Sequence, residues 1–235
     1  MFEKLSLIGI NLNSAQEQKF VSFIELFKDY NTKVNLVSSN DTLVLFEKHI
    51  FDSLAFNLFY EKYLSGTASL KLLDIGTGGG FPSIALSIFY ENFNITPIDS
   101  VNKKINFIKY AAEELKLYNI APLCSRVEDL PPSYKSGYDV VVSRAMADLR
   151  MILEYAIPFV KTGGYFAAYK SLKAEEEIKN ARNALKILNS EIVDIIDYKL
   201  PLNEENTRKL IVIKKNKETS SIYPRKNGLI KKNPL

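Results

Sequence analysis

The stretch DIGTGGGFPS, residues 74–83, places four glycines within five positions. It follows the apolar segment KLLDI and precedes an apolar segment with helical spacing. Glycine has no Cβ, so it adopts positive φ and lets a ligand approach the main chain closely. A bare loop between a strand and a helix is typical of a nucleotide-type site at the carboxyl edge of an open sheet.

The acids around this loop indicate its ligand. A dinucleotide loop has the pattern Gly-x-Gly-x-x-Gly, and Phe81 stands where the third glycine would be. Asp74 would repel a pyrophosphate but attract the sulfonium and ammonium of S-adenosylmethionine. The pattern therefore favours S-adenosylmethionine over a nicotinamide dinucleotide, with contacts at Asp74, Gly76 and Gly78. Asp99 ends the next strand, where an acid accepts hydrogen bonds from ribose hydroxyls.

Strand-like and helix-like segments alternate from about residue 70 onward. This alternation predicts an α/β fold with a mostly parallel seven-stranded sheet and helices on both faces. Because the glycine loop favours S-adenosylmethionine, we expect a Rossmann-like class I S-adenosylmethionine-dependent methyltransferase fold. The last two strand patterns have no helix between them, so the last strand is predicted to be antiparallel. We expect an N-terminal helical extension over residues 1–65, a methyltransferase domain over 66–215 and a basic C-terminal tail over 216–235. Within the extension, Ser14 with Glu17 predicts a capping box.

The composition excludes several classes of protein. The 235-residue chain is 46% hydrophobic and 25% charged, with one cysteine and one histidine. An intrachain disulfide and a Cys-x-x-Cys redox pair are therefore impossible, and a metal site is not expected. No apolar run reaches the length of a membrane span, and the N-terminus does not resemble a signal peptide. We expect a cytoplasmic monomer that does not contact membranes.

Positive charge is concentrated at the C-terminus. Residues 214–235 contain seven Lys or Arg and one acid, whereas residues 1–213 sum to a net charge of −2. Such a segment is either a solvated, partly disordered terminus or an arm that binds a polyanion. Its apolar residues Tyr223, Pro224 and Leu229 favour the second interpretation.

The loops after the third and fourth strands complete the expected site. Val127 is predicted to cover the adenine of the donor, and Glu128 or Asp129 to accept from its exocyclic amine. Enzymes that methylate exocyclic amines commonly carry Asn/Asp-Pro-Pro-aromatic after the fourth strand. This chain instead has Arg144, which suits an anionic or nucleic-acid target. His49 is the candidate for a general base, but its apolar helical context favours a buried structural histidine.

Several motifs together resemble a known family. They are DIGTGGGFPSIALSI, IDSVNKKINFIKYAAEEL, SRVEDL, VVSRAMADL and AYKS, with YNTKVNLVS and FEKHIFDSLAF upstream and RKLIVIKK and YPRKNG downstream. In this order they resemble the bacterial small-subunit ribosomal RNA guanine-N7 methyltransferases, also known as glucose-inhibited division protein B. The resemblance covers nearly the whole chain. The departures are Ser83, where the family usually has glycine, and Ser38, where it often has threonine.

The resemblance implies an activity and a set of site residues. The activity is methylation of N7 of a guanosine in small-subunit (16S) ribosomal RNA, with S-adenosylmethionine as cofactor and no metal. The RNA or the small subunit is the implied partner. The implied donor contacts are Gly76, Phe81, Asp99, Val127, Glu128 and Arg144. The implied catalytic face is Arg126, Arg144 and Arg208, and the implied RNA contacts are Lys170, Arg208, Arg225 and Lys226.

The reaction needs little from the protein beyond positioning. Guanine N7 has a lone pair and no proton, so it can attack a sulfonium methyl without a base. We expect Arg144 to position the donor carboxylate or guanine O6. Two alternatives stay open: a methyltransferase acting on another RNA or a protein, and an S-adenosylmethionine-binding ribosome assembly factor without transfer activity. Without the resemblance, the residues indicate only an S-adenosylmethionine-dependent transferase acting on nucleic acid.

Overall fold

The computed structural model describes residues 1–171, 174–202 and 206–235. Its centre is one seven-stranded sheet in the order β3-β2-β1-β4-β5-β7-β6. The strands are β1 (Lys71–Ile75), β2 (Asn94–Asp99), β3 (Leu123–Cys124), β4 (Tyr138–Arg144), β5 (Val160–Lys170), β6 (Ser190–Lys199) and β7 (Thr207–Lys215). β7 runs antiparallel to both of its neighbours, and the other pairs are parallel. The predicted mostly parallel sheet with an antiparallel last strand is confirmed.

Helices cover both faces of this sheet. The π-helix Phe46–Phe51 lies between the second and third α-helices. The α-helices are α1 (Ser14–Lys33), α2 (Ser39–Leu43), α3 (Asp52–Leu54), α4 (Phe56–Tyr63), α5 (Ser83–Phe89), α6 (Asn102–Glu114), α7 (Leu149–Ala156), α8 (Ala174–Asn180), α9 (Arg182–Ile187) and α10 (Asn227–Lys232). None of the described helices is both long enough and apolar enough to cross a membrane.

The strand register explains where the site forms. In the parallel ladders Ile75 lies opposite Ile98, and Asp74 lies opposite Val142. The carboxyl ends of β1, β2 and β4 therefore meet at one edge, where loops leave the sheet together. β1 is buried along its last four residues, as expected for a parallel strand with both faces covered.

The N-terminal helices share a hydrophobic core with the sheet. α1 has its cap one residue earlier than the sequence predicts: Asn13 Oδ1 accepts from the Gln16 N–H, and Gln16 Oε1 accepts from the Asn13 N–H. The capping box is thus Asn13 with Gln16, and the predicted pair of Ser14 and Glu17 is wrong.

Helix ends also differ from the simple sequence pattern. Glycine commonly follows the end of a helix, but α7 ends at Ala156, well before the Gly-Gly pair at 163–164, and that pair lies inside β5. Pro158 gives the reason, because proline has no N–H and its ring clashes with the preceding turn of a helix. The chain passes through a 3-10 turn, Ile157–Phe159, and then enters the strand.

Candidate active site

Two cavities open side by side at the carboxyl edge of the sheet. The first cavity, of about 490 Å³, is lined by Gly76, Asp99, Arg126, Val127, Glu128 and Met146, among others. The second cavity, of about 370 Å³, is lined by Lys48, His49, Arg144, Lys170 and Arg208, among others. Ala145 and Met146 line both, so the two cavities meet at the loop that leaves β4.

The glycine loop is closely packed against this shared wall. Gly76 has φ +73°, and a Cβ on it would lie 2.3 Å from Met146 Sδ. A side chain at this position is therefore excluded both by the backbone and by the neighbouring thioether. Ala145 has φ +52°, an uncommon conformation for a residue with a Cβ. Such backbone conformations cluster at functional sites.

Asp99 lies in the first cavity as predicted from its place at the end of β2. Its Oδ2 accepts from the Gly78 N–H at 3.1 Å and from Lys104 Nζ at 3.3 Å, and its Oδ1 accepts from the Val101 N–H at 2.9 Å. These bonds fix the carboxylate against the loop. A carboxylate has about four lone-pair sites, so capacity remains for a hydroxyl donor from the cavity.

Glu128 and Val127 also line the first cavity. The Glu128 side chain is only 7% exposed, and Arg126 Nη1, at 3.8 Å, is too far to form a hydrogen bond with it. Within the described ranges the carboxylate accepts no hydrogen bond from the chain, although a buried carboxylate normally has partners. It is therefore free to accept from a ligand that enters the first cavity.

Asp74 does not line either of these cavities. It is fully buried under the loop, where the Ser83 hydroxyl donates to Oδ2 at 2.7 Å and Oδ1 has no partner among the described atoms. Desolvation raises the pKa of Asp74 to about 7, because burial outweighs the Ser83 hydrogen bond and the Arg144 charge. Asp74 therefore lies beneath the glycine loop and supports it, whereas the sequence pattern predicts Asp74 beside the methyl donor.

Arg144 ends β4 and lines the second cavity, where it is held by the N-terminal helices. Its Nη1 donates to Asp52 Oδ2 at 2.9 Å and to the Lys48 carbonyl at 3.2 Å. Its Nη2 lies 2.6 Å from His49 Nδ1, and its guanidinium lies over the Phe81 ring. Arg144 is not among the residues that line the first cavity.

His49 is a buried neutral side chain. Arginine can only donate, so Nδ1 is the acceptor and the ring proton lies on Nε2, which is buried without a partner among the described atoms. Burial, followed by the nearby Arg144 charge, lowers the pKa of His49 to about 3. The structural interpretation of His49 is thereby supported, and a role as general base is not.

The remaining predicted residues divide between the site and the core. Arg208 lines the second cavity, and so does Lys170, whose Nζ lies 2.6 Å from Glu177 Oε2 and donates to the Ala147 carbonyl. The Phe81 ring instead packs between α1 and His49, with centroids 5.3 Å from Phe27 and 5.0 Å from His49. Its side chain lines neither cavity.

The C-terminal residues are placed differently from one another. Arg225 donates through Nε and Nη2 to both carboxylate oxygens of Glu154, so this predicted RNA contact is an internal ion pair. Lys226 pairs with Asp129 Oδ1 at 2.7 Å but its side chain is 76% exposed. Asn227 and Lys231 line the first cavity, and sequence reasoning missed both, since only the apolar residues of the tail hinted at an ordered segment.

The first cavity fits S-adenosylmethionine. Asp99 can accept from ribose hydroxyls, Glu128 from the adenine amine, and the Val127 side chain offers an apolar face. The Glu128 carboxylate is nearly buried and accepts no hydrogen bond within the described ranges, and this is the observation that most favours an amine-bearing ligand here. No group of three or more His, Cys, Asp or Glu residues in the described part of the chain could hold a metal ion.

The sheet order is that of a class I S-adenosylmethionine-dependent methyltransferase. A solved structure with this fold, M. jannaschii TYW2 in complex with AdoMet, is 16% identical, with a TM-score of 0.51 over 62% of this chain and 68% of that one. The family model described as rRNA small subunit methyltransferase G matches residues 16–211. The chain belongs to this family.

Curated relatives extend the match to nearly full length. A protein of Staphylococcus saprophyticus named ribosomal RNA small subunit methyltransferase G is 38% identical over 99% of this chain and 96% of its own length. A protein of the same name from Streptococcus gordonii is 39% identical over 100% of this chain and 98% of its own length. The family resemblance drawn from the sequence motifs is confirmed.

Proposed function

We propose that this chain is a cytoplasmic enzyme that transfers the methyl group of S-adenosylmethionine to N7 of a specific guanosine in small-subunit ribosomal RNA. Family membership and the names of the relatives support the reaction class and the RNA. The observation in the structure that carries the proposal is the meeting of the two cavities at Ala145 and Met146. A donor in one cavity and a base in the other would have their reacting atoms at this shared wall.

The polar groups of the first cavity support it as the place of the donor. Asp99 would accept from the ribose and Glu128 from the adenine amine, while the main chain at Gly76 would face the methionine part. S-adenosylmethionine bound there supplies a methyl group on a positively charged sulfur. Met146 packs on Gly76 and would keep water from the space between donor and acceptor.

The acceptor base belongs in the second cavity. Guanine N7 has an in-plane lone pair and no proton, so no residue has to remove a proton before the N–C bond forms. This agrees with a second cavity in which Arg144 occupies Nδ1 of His49 and the pKa of His49, lowered to about 3 by burial, makes it a poor base. The contribution of Arg144 and its partners is to fix the wall against which the base lies, and positioning of two reactants is worth several kcal/mol.

Charge also favours RNA at the second cavity. Lys48, Arg144, Lys170 and Arg208 line it, whereas its acids Asp41, Asp52 and Glu177 each pair with one of these cations. Sequence-specific RNA recognition mostly targets unpaired bases in loops and bulges, with phosphates held by cations around them. We expect an unpaired guanosine to enter this cavity.

The test is transfer of labelled methyl from S-adenosylmethionine to bacterial small ribosomal subunits, to naked 16S RNA and to a protein mixture, followed by digestion to nucleosides. Label in 7-methylguanosine from subunits or RNA is the expected result. Label in protein or in another nucleoside would favour a different acceptor. Donor binding without any transfer would favour the assembly-factor alternative.

A matched pair of variants ties this activity to the first cavity. Glu128→Gln keeps the shape of the side chain but replaces an oxygen that accepts hydrogen bonds with an amide nitrogen that donates them. Affinity for S-adenosylmethionine should therefore fall about tenfold. Asp129→Asn makes the same chemical change at the next residue, which pairs with Lys226 and does not line the cavity, and should leave donor affinity unchanged. Equal affinities in all three proteins would contradict the placement of the adenine.

A further inference from the structure

The C-terminal segment, residues 223–235, forms one wall of the first cavity. Asn227 and Lys231 line the cavity together with Glu128 and Tyr155. The sequence suggests a basic arm that either moves freely or binds a polyanion. In the structure the segment instead lies against α7, the helix that follows the loop shared by the two cavities.

An ion pair anchors the segment at its start. The Arg225 N–H and Nε donate to Glu154 Oε1 at 2.9 and 2.8 Å, and Nη2 donates to Oε2 at 2.6 Å. Glu154 lies on α7 and is fully buried. Bidentate arginine–carboxylate pairs fix orientation as well as distance, and a buried carboxylate without its partner is strongly unfavourable. Arg225 therefore stabilises the fold.

Apolar packing anchors the other end. Ile230 on α10 is fully buried in the core cluster that includes α7, and Leu235 packs against the same cluster. Lys135 Nζ also donates to the carbonyls of Ser221 and Tyr223, where the segment begins. The part of the segment between these anchors is therefore held in a defined position beside the cavity.

Asn227 has one side-chain partner and one unused group. The Tyr155 hydroxyl donates to Asn227 Oδ1 at 2.7 Å, and this bond orients the amide. Within the described ranges Nδ2 donates to no atom of the chain, although an amide nitrogen can donate twice. Glu128, on the same cavity, is an acceptor without a partner among the described residues. The two side chains together offer one donor and one acceptor.

That pairing matches the edge of an adenine. The exocyclic amine is a donor, and each ring nitrogen beside it, N1 or N7, is an acceptor. We propose that Asn227 is a specificity-determining residue for the methyl donor, its amide donating to a ring nitrogen next to the amine that Glu128 accepts. This inference rests on the proposed function, because it requires the adenine in the first cavity.

The first experiment measures binding of S-adenosylhomocysteine by calorimetry. Asn227→Asp keeps the oxygen that accepts from Tyr155 and removes the amide donor, so the affinity should fall about tenfold or more. Asn233→Asp places the same charge in the same segment, away from the residues that line the cavity, and should bind as the wild type does. An unchanged affinity in Asn227→Asp would overturn the proposal.

A second measurement is made first on the wild-type chain, so its main result does not depend on a variant that folds. Analogues of S-adenosylhomocysteine that carry carbon in place of N1 or of N7 lose one acceptor each. Wild type should bind one of the two analogues about tenfold more weakly than it binds S-adenosylhomocysteine. Asn227→Asp should bind that analogue and S-adenosylhomocysteine with equal affinity. If both analogues bind wild type as tightly as the parent, Asn227 does not recognise the ring.

The two proposals fail in different ways. If wild type does not bind S-adenosylhomocysteine, the proposed function and this inference are both overturned. If wild type binds it and Glu128→Gln weakens binding while Asn227→Asp does not, the donor site stands and only the role of Asn227 is lost.

Discussion

The two cavities share a wall but differ in how their charged side chains are engaged. In the first, Arg126 is 56% exposed and lies 3.8 Å from Glu128, so both keep most of their capacity for a ligand. In the second, Arg144 lies 2.9 Å from Asp52 and Lys170 lies 2.6 Å from Glu177. Beside its Asp99–Lys104 ion pair the first cavity offers unused polar groups, whereas three of the four cations that line the second, Lys48, Arg144 and Lys170, already have acidic partners.

This difference indicates two modes of recognition. A small ligand in the first cavity can form new hydrogen bonds without breaking an ion pair of the protein. A polyanion at the second cavity meets side chains whose positions are already fixed, so less side-chain entropy is lost on binding. We therefore expect donor binding to be independent of the ion pairs in the second cavity, and methyl transfer to depend on them.

Arg144→Ala should have the largest effect. It leaves the buried Asp52 without its cation, so the free energy of unfolding should fall by about 3–5 kcal/mol, measured by urea denaturation. Turnover on small subunits should fall at least about 100-fold, while affinity for S-adenosylhomocysteine changes less than about threefold. Arg144→Lys should keep part of the stability, because the ammonium can still pair with Asp52.

The opposite result would be informative. If Arg144→Ala lost donor affinity as strongly as turnover, Arg144 would contact the donor, as the family resemblance implies. The separation between the two cavities would then be wrong. Full turnover in both variants would remove Arg144 from the reaction altogether.

Asp74→Asn should have the next largest effect, seen as a change in pH dependence. Asp74 is buried beneath the glycine loop, and Asp52 is nearly buried in the wall of the second cavity. Arg144 donates to Asp52, whereas the Ser83 hydroxyl donates to Asp74. The folded-state pKa of Asp74 is raised from 3.8 to about 7, so its contribution to stability is complete below about pH 4 and is lost as the pH rises to about 7.

The measurement is urea denaturation of both proteins between pH 4.5 and pH 8. The stability of wild type relative to Asp74→Asn should fall by about 2–4 kcal/mol as the pH rises through this range, because the asparagine does not titrate. Ser83→Ala serves as a control that removes the hydroxyl but keeps the carboxyl. A stability difference that does not change with pH would mean that Asp74 is ionised in the folded protein.

The sheet and the first cavity were largely predictable from the sequence. Parallel strands that are buried on both faces give unbroken apolar runs, and the glycine loop marks where one of them ends. Asp99, Val127 and Glu128 lie at or just after strand ends, so their positions are set by the sheet itself. Local sequence is enough to place residues that depend on one strand and one turn.

The positions of the other site residues depend on contacts between segments that are distant in the sequence. The loop pattern predicts Asp74 beside the donor, and the family resemblance implies a donor contact at Phe81. In the structure the Asp74 carboxylate accepts from Ser83 beneath the loop, and the Phe81 ring packs against Phe27 of α1. Asn227 lines the cavity only because Tyr155 and Glu154, far earlier in the chain, hold its segment there. No periodicity or spacing in the sequence indicates which distant residues contact one another.

Arg126→Ala provides the contrast to Arg144→Ala with a smaller effect. The same substitution is made, but Arg126 is mostly exposed and its nearest carboxylate lies beyond hydrogen-bond distance. The free energy of unfolding should change by less than about 1 kcal/mol in the same urea experiment. A loss as large as that of Arg144→Ala would show that the charges of the first cavity stabilise the fold as strongly as those of the second.

The smallest expected effect is on the salt dependence of RNA binding. Arg208 lines the second cavity and has no carboxylate partner in residues 1–171, 174–202 and 206–235, so it can meet a phosphate without breaking a described ion pair. Each phosphate contact adds about 0.7–0.9 to the slope of log affinity against log salt.

Arg208→Ala should reduce the slope for 16S RNA by the amount of about one contact. Arg182 lies on the exposed side of α9 and lines neither cavity, so Arg182→Ala should leave the slope unchanged. Equal slopes for all three proteins would place the RNA away from Arg208, and the second cavity would then hold the base without binding the backbone beside it.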